Sequence, residues 1–60
     1  MIANFEDCQK YFQDMSEELL PVWIEVAERR LPYYSNLYDL ASVKIALSAA
    51  KIEQEKRNVA

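Results

Sequence analysis

Residues 37–57, LYDLASVKIALSAAKIEQEKR, form a run of twenty-one residues without a proline or a glycine. Nothing in the run interrupts a helix, which at 1.5 Å per residue would extend about 30 Å. On a helical wheel, Tyr38, Ala41, Ile45, Ala49 and Ile52 form one apolar stripe, and Leu40, Val43, Leu47 and Ala50 form another. Lys44, Ser48, Lys51 and Glu55 share the continuous polar face. A helix in a two-layer hairpin needs one apolar stripe, so two stripes predict neighbours on two sides. Ala41, Ala46, Ala49 and Ala50, with Ser42 and Ser48, would let those neighbours approach closely. The preceding helices can cover one side, and a second subunit or a partner would cover the other; the alternative is that both stripes are core within one compact monomer.

Working back from this run, Leu31-Pro32 marks the end of the preceding helix, because the residue before proline is pushed away from helical geometry. Ser35 or Asn36 then caps the long helix, and Asp39 stands where a capping box closes on Asn36. Upstream, Ser16 can cap a second helix with Glu17 and Glu18 at its start. Leu19, Val22, Trp23, Val26 and Ala27 repeat at i, i+3, i+4, i+7 and i+8, which predicts a core-facing stripe. Pro21 is late for a Ser16 cap, so either this helix begins near Leu20 or the first two helices form one kinked rod. Residues 22–26 could also read as a strand, but no partner strand exists. Asn4 caps a first helix, with Glu6 and Asp7 in its first turn and Phe5, Cys8, Phe12 and Met15 on its apolar face beside Tyr11. The fold expected is all-α: a single domain with helices at about 5–15, 17–30 and 36–57. It is a small bundle of two or three helices in which the long C-terminal helix packs on a shorter N-terminal helical arm, either kinked or broken in two, completed by dimerisation or a partner.

Composition narrows the class further. The 60 residues are 52% hydrophobic and 28% charged, too apolar for a disordered tail. No glycine and two prolines argue against a hairpin-rich β fold, whose tight turns need positive φ. A domain of this length buries only about 60% of its unfolded surface and folds alone with little margin. One cysteine permits no internal disulfide, and without histidine no structural zinc site can be assembled. With those staples gone, association is the expected source of stability. The first residues lack the basic and apolar regions of a secretory leader, and no apolar stretch approaches a membrane span. A lone thiol and no leader predict a reducing, cytoplasmic setting.

The absence of histidine also removes the usual general base and the commonest metal ligand. Cys8 shares an apolar face with Phe5 and Phe12 and has no base to activate it, so it reads as a small buried hydrophobe. Trp23 reads as a core anchor. Glu25 and Glu28 are spaced i, i+3 without the histidine a carboxylate-bridged metal pair needs. No enzyme, cofactor or metal is expected. Residues 4–11, Asn-Phe-Glu-Asp-Cys-Gln-Lys-Tyr, are similar to the start of some phasins, helical proteins that coat granules. The likeness ends before the Leu-Pro break and carries no function to the rest of the chain.

Charge is uneven along the chain. Residues 1–28 carry seven carboxylates against Lys10, a net of −6, and residues 29–60 carry six cations against Asp39, Glu53 and Glu55, a net of +3. Such a chain suits antiparallel packing of its acidic half over its basic half, within or between subunits. The Tyr33-Tyr34-Ser35-Asn36-Leu37-Tyr38 cluster offers large amphipathic side chains of the kind favoured at interfaces. These features predict a non-enzymatic protein-binding module, a homodimer or hetero-oligomer, with Tyr34, Tyr38, Ile45 and Ile52 as contact anchors. Small bacterial or phage-encoded regulators, inhibitors and assembly chaperones do work of this kind. The competing expectation is a compact helix-turn-helix regulator of transcription, or a structural subunit of a larger complex. Against DNA, Leu37, Tyr38, Asp39, Leu40 and Ala41 fill the place where a recognition helix would carry Arg, Lys, Asn and Gln.

Overall fold

The computed structural model describes residues 4–59 as three helices: α1 (Phe5–Gln13), α2 (Leu19–Arg30) and α3 (Leu37–Val59), with a 3-10 turn at Leu31–Tyr33. No strand occurs among the described residues, and the chain is all-α. The first three residues, on which the reading of the N-terminus partly rests, lie outside the described span.

Local chemistry sets most of the helix ends. Asn4 Oδ1 accepts a hydrogen bond from the Glu6 backbone N–H at 2.8 Å, and Asn36 Oδ1 accepts one from Tyr38 N–H at the same distance. Asp39 N–H lies 3.4 Å from the same Asn36 oxygen, so one side chain serves two of the first-turn donors. Ser16 Oγ accepts from Leu19 N–H at 3.2 Å while its carbonyl takes Leu20 N–H at 3.1 Å. The helix proper then begins at Leu19, two residues later than the expected 17. That start places Pro21 in the first turn, where its missing N–H has no intrahelical partner to lose. Between α1 and α2 the chain turns, so they are two helices and not one kinked rod. α1 stops at Gln13, short of the expected Met15, and α3 runs to Val59, past the expected Arg57.

Both short helices pack on α3. The buried core comprises Phe12 from α1, Leu20, Ile24 and Ala27 from α2, and Leu47, Ala49 and Ala50 from α3. Cys8, Met15, Trp23, Leu31, Val43 and Ala46 pack partly buried around it. Leu47, Ala49 and Ala50 span about 160° of the α3 circumference at 100° per residue, an arc that a single helix cannot cover. The expected two-sided burial of α3 is thus met, in part, within one chain. Ala49, assigned by sequence to the outer stripe, belongs to this core at 1% exposure.

The face of α2 differs from expectation. Its buried positions are Leu20, Ile24 and Ala27, while Leu19, Val22 and Val26 are exposed. From Leu19 to Ala27 only Glu25 is not apolar, so α2 carries two overlapping apolar faces. Periodicity alone cannot choose between them; Leu20 and Ile24 are the ones that share the buried core with the small α3 residues Ala49 and Ala50. Trp23 stands at the border, half-buried, its ring meeting Phe12 edge-on at 4.6 Å.

Candidate functional site

The four residues expected to contact a partner do not converge on one site. Tyr38 and Ile52 are exposed and Ile45 is half-buried along the outer side of α3. At i, i+7 and i+14 they span about 21 Å. Tyr34 lies elsewhere, half-buried in a groove of about 200 Å³ with Trp23, Val26, Arg30 and Val43. The groove lies where the end of α2 meets α3, so Tyr34 belongs to the α2 side of the molecule. The most exposed large hydrophobic residues are Tyr33 in the connecting segment and Leu37 at the start of α3, at 85% and 80%.

Sequence reasoning missed a second apolar surface. Leu19 (58% exposed), Val22 (53%) and Val26 (41%) line the outer face of α2. A shallow hollow lined by Tyr11, Asp14, Met15, Ser16 and Leu19 extends it at one end, and the Tyr34 groove extends it at the other. The signal was present in the residues, since this is the stripe whose spacing is cleanest; what misled was its assignment to the core.

Arg57 is the other residue whose role was not legible. Its Nη2 donates to the backbone carbonyls of Phe12 (2.9 Å), Gln13 (3.3 Å) and Met15 (2.7 Å), where α1 ends. Its Nε donates to Glu53 Oε2 at 2.9 Å, one turn earlier on α3. Helix C-termini leave carbonyls without partners and carry partial negative charge, and a guanidinium satisfies both. Arg57 therefore pins the end of α1 to the end of α3. Its Nη1 is buried without a partner among the described residues.

Elsewhere the charges are at the surface. Glu25 pairs with Arg29 at 2.6 Å and Glu28 with Lys51 at 3.7 Å, both exposed. The second pair links α2 to α3, a small realisation of the acidic half lying over the basic half, and exposed pairs of this kind contribute under about 1 kcal/mol. Cys8 is half-buried against the core. Among the described residues no group of three or more His, Cys, Asp or Glu side chains could hold a metal ion, and no helix is long and apolar enough to cross a membrane. What the described surface offers is apolar area on two sides, bordered by charge. The chain matches no protein-family model, no curated protein and no solved structure.

Proposed function

We propose that this chain is a non-enzymatic, cytoplasmic protein-interaction module that acts stoichiometrically, by covering a surface of another protein. Regulation, inhibition and assisted assembly are jobs that such a module performs. The observation that carries the reading is the exposure of Leu19, Val22, Val26, Tyr38 and Ile52, at 38–66%, in a chain whose buried core includes three alanines among seven residues. Isolated exposed hydrophobes are ordinary; aligned rows of them on two helices are the pattern of surfaces that meet protein. Tyr38, Ile45 and Ile52 are the proposed contacts on α3, and Tyr34 extends the α2 side.

The test is Ile45→Asp in a tagged chain used as bait in an extract of the source cell. A carboxylate forced into an apolar contact costs several kcal/mol, so a protein retained through this stripe should be lost by a hundredfold or more. Lys44→Asp, one position away on the exposed face, is the control and should retain it. Far-UV circular dichroism checks that both variants remain helical. Equal retention by Ile45→Asp and Lys44→Asp would remove the α3 stripe from the proposal. Tight, salt-dependent binding of duplex DNA would instead support the helix-turn-helix alternative.

A further inference from the structure

We infer that the outer face of α2 is a self-association surface, on which a second copy of the chain packs its own α2 antiparallel about a two-fold axis. This inference goes beyond the protein-binding reading and does not depend on the Tyr38–Ile52 stripe. It begins from the exposed row Leu19, Val22 and Val26, which has the i, i+3, i+7 spacing of a helix–helix seam.

Charge decides the occupant and its direction. Glu18 and Arg29 are eleven residues apart, which at 100° per residue places them only about 20° apart around the helix. Glu18 has helical backbone angles, φ −73° and ψ −37°, so it continues the α2 geometry by one residue. Both therefore flank the same edge of the apolar row, acid at the start and base at the end. A two-fold axis perpendicular to the helices returns each edge to the same side with its direction reversed. Glu18 of one copy then meets Arg29 of the other, twice, and Val22 of each copy lies opposite Val26 of the other to within a residue's rise. The axis passes between Trp23 and Ile24. A parallel arrangement, with its two-fold along the helices, would carry Glu18 and Arg29 of the second copy to the opposite edge of the seam, where Arg29 meets Arg30, so only the antiparallel one forms the two attractive pairs.

The groups involved are available for the contact. Among the described residues Glu18 makes no ion pair, and Arg29 uses one nitrogen on Glu25, which leaves further donors of its guanidinium for the second copy. Trp23, Glu25 and Arg30 border the row, and the Arg30 stem can lie over Leu19 of the opposite copy. The seam is about 18 Å long and one helix wide, lengthened by Tyr11 at one end and Tyr34 at the other. That size belongs to the smaller class of interfaces, so association should be weak, with the dimer becoming the main species towards 1 mM.

Sedimentation equilibrium from about 1 µM to 1 mM provides the test, with circular dichroism to confirm that every variant is helical. Wild type should pass from monomer to dimer. Val22→Asp lies on the exposed face in the first turn, where a carboxylate suits the helix dipole, and should stay folded and monomeric. Glu18→Arg and Arg29→Glu should each weaken dimerisation about tenfold at low salt, since each turns two attractions into two repulsions. An equimolar mixture of these two single variants should recover near wild-type association as a heterodimer, because both pairs are then oppositely charged. Effects confined to one helix cannot be rescued by mixing. A wild-type chain monomeric at 1 mM would overturn the inference. So would a dimer indifferent to Val22→Asp, or a mixture no tighter than its components. If Ile45→Asp dissolves the dimer and Val22→Asp does not, α3 carries the self-contact and the α2 assignment is wrong.

Discussion

Phe12→Ala is expected to leave the chain largely unfolded at 25 °C. Phe12 and Leu20 are the largest fully buried side chains, and three of the seven core residues are alanines, so these two supply much of the core volume. Phe12 also meets Trp23 edge-to-face at 4.6 Å, fastening α1 to α2, and Tyr11 of its own helix at 5.2 Å. Removing a buried phenyl ring costs about 3–5 kcal/mol, from lost transfer energy and the cavity left behind. A single core at this chain length supplies about the same amount in total. Urea titration followed by circular dichroism should show little folded baseline for the variant. Tyr11→Ala, whose ring is 59% exposed, should cost less than about 1 kcal/mol. A cooperative transition for Phe12→Ala within 1 kcal/mol of wild type would mean that the core lies elsewhere.

Arg57→Ala should also be strongly destabilising, at about 2–3 kcal/mol. The substitution strips three carbonyls at the end of α1 of their shared donor and leaves Glu53, only 14% exposed, without its cation. Losing one member of a buried, hydrogen-bonded charge pair typically costs about 3–5 kcal/mol, and partial solvent access lowers that here. Arg57→Lys should recover little, since a single ammonium cannot serve Glu53 and the helix end in the fork geometry of a guanidinium. The pair Arg57→Ala with Glu53→Ala should be more stable than Arg57→Ala alone, because the stranded carboxylate is gone. Chemical denaturation of the four proteins completes a double-mutant cycle. Additive losses would show that Glu53 and Arg57 are not coupled.

Those two residues mark how far the sequence could be read. The caps at Asn4 and Asn36 and the break at Leu31-Pro32 were legible because each acts within three residues of itself. The boundary between α2 and α3 followed from them, whereas the separation of α1 from α2 did not. Phe12 was placed on an apolar face by its spacing from Cys8 and Met15. Arg57 was legible only as one charge among several: its partners at Phe12, Gln13 and Met15 are 42–45 residues away, and no local pattern encodes that meeting. Its i, i+4 relation to Glu53 was visible, but that spacing is common on solvated helices.

The α2 face failed for a different reason. A helix whose residues from Leu19 to Ala27 are apolar except Glu25 has no single preferred side. Of the cleanly spaced stripe, Leu19, Val22 and Val26 are left in solvent, while Ala27 is buried with Leu20 and Ile24 and Trp23 is half-buried. On α3 the buried core draws on both predicted stripes: Leu47 and Ala50 come from one, and from the other only Ala49. Its small side chain permits a close approach by a neighbouring helix, which hydrophobic periodicity does not measure. Tyr34, Tyr38, Ile45 and Ile52 were grouped by type and spacing, but Tyr34 stands in the segment between the 3-10 turn and α3, whereas the other three lie on α3 itself.

If exposed apolar rows on α2 and α3 are covered by protein when the chain does its work, stability should depend on how much of the chain is present. A species that binds only folded copies raises the melting temperature by mass action. Thermal unfolding followed at 222 nm from about 10 µM to 1 mM, with the mass read by light scattering on the same samples, measures this directly. The expected result is a melting temperature that climbs by several degrees across the hundredfold range as the mass moves from one chain to two. A melting temperature constant across that range, with a one-chain mass throughout, would contradict self-association as the way these surfaces are covered.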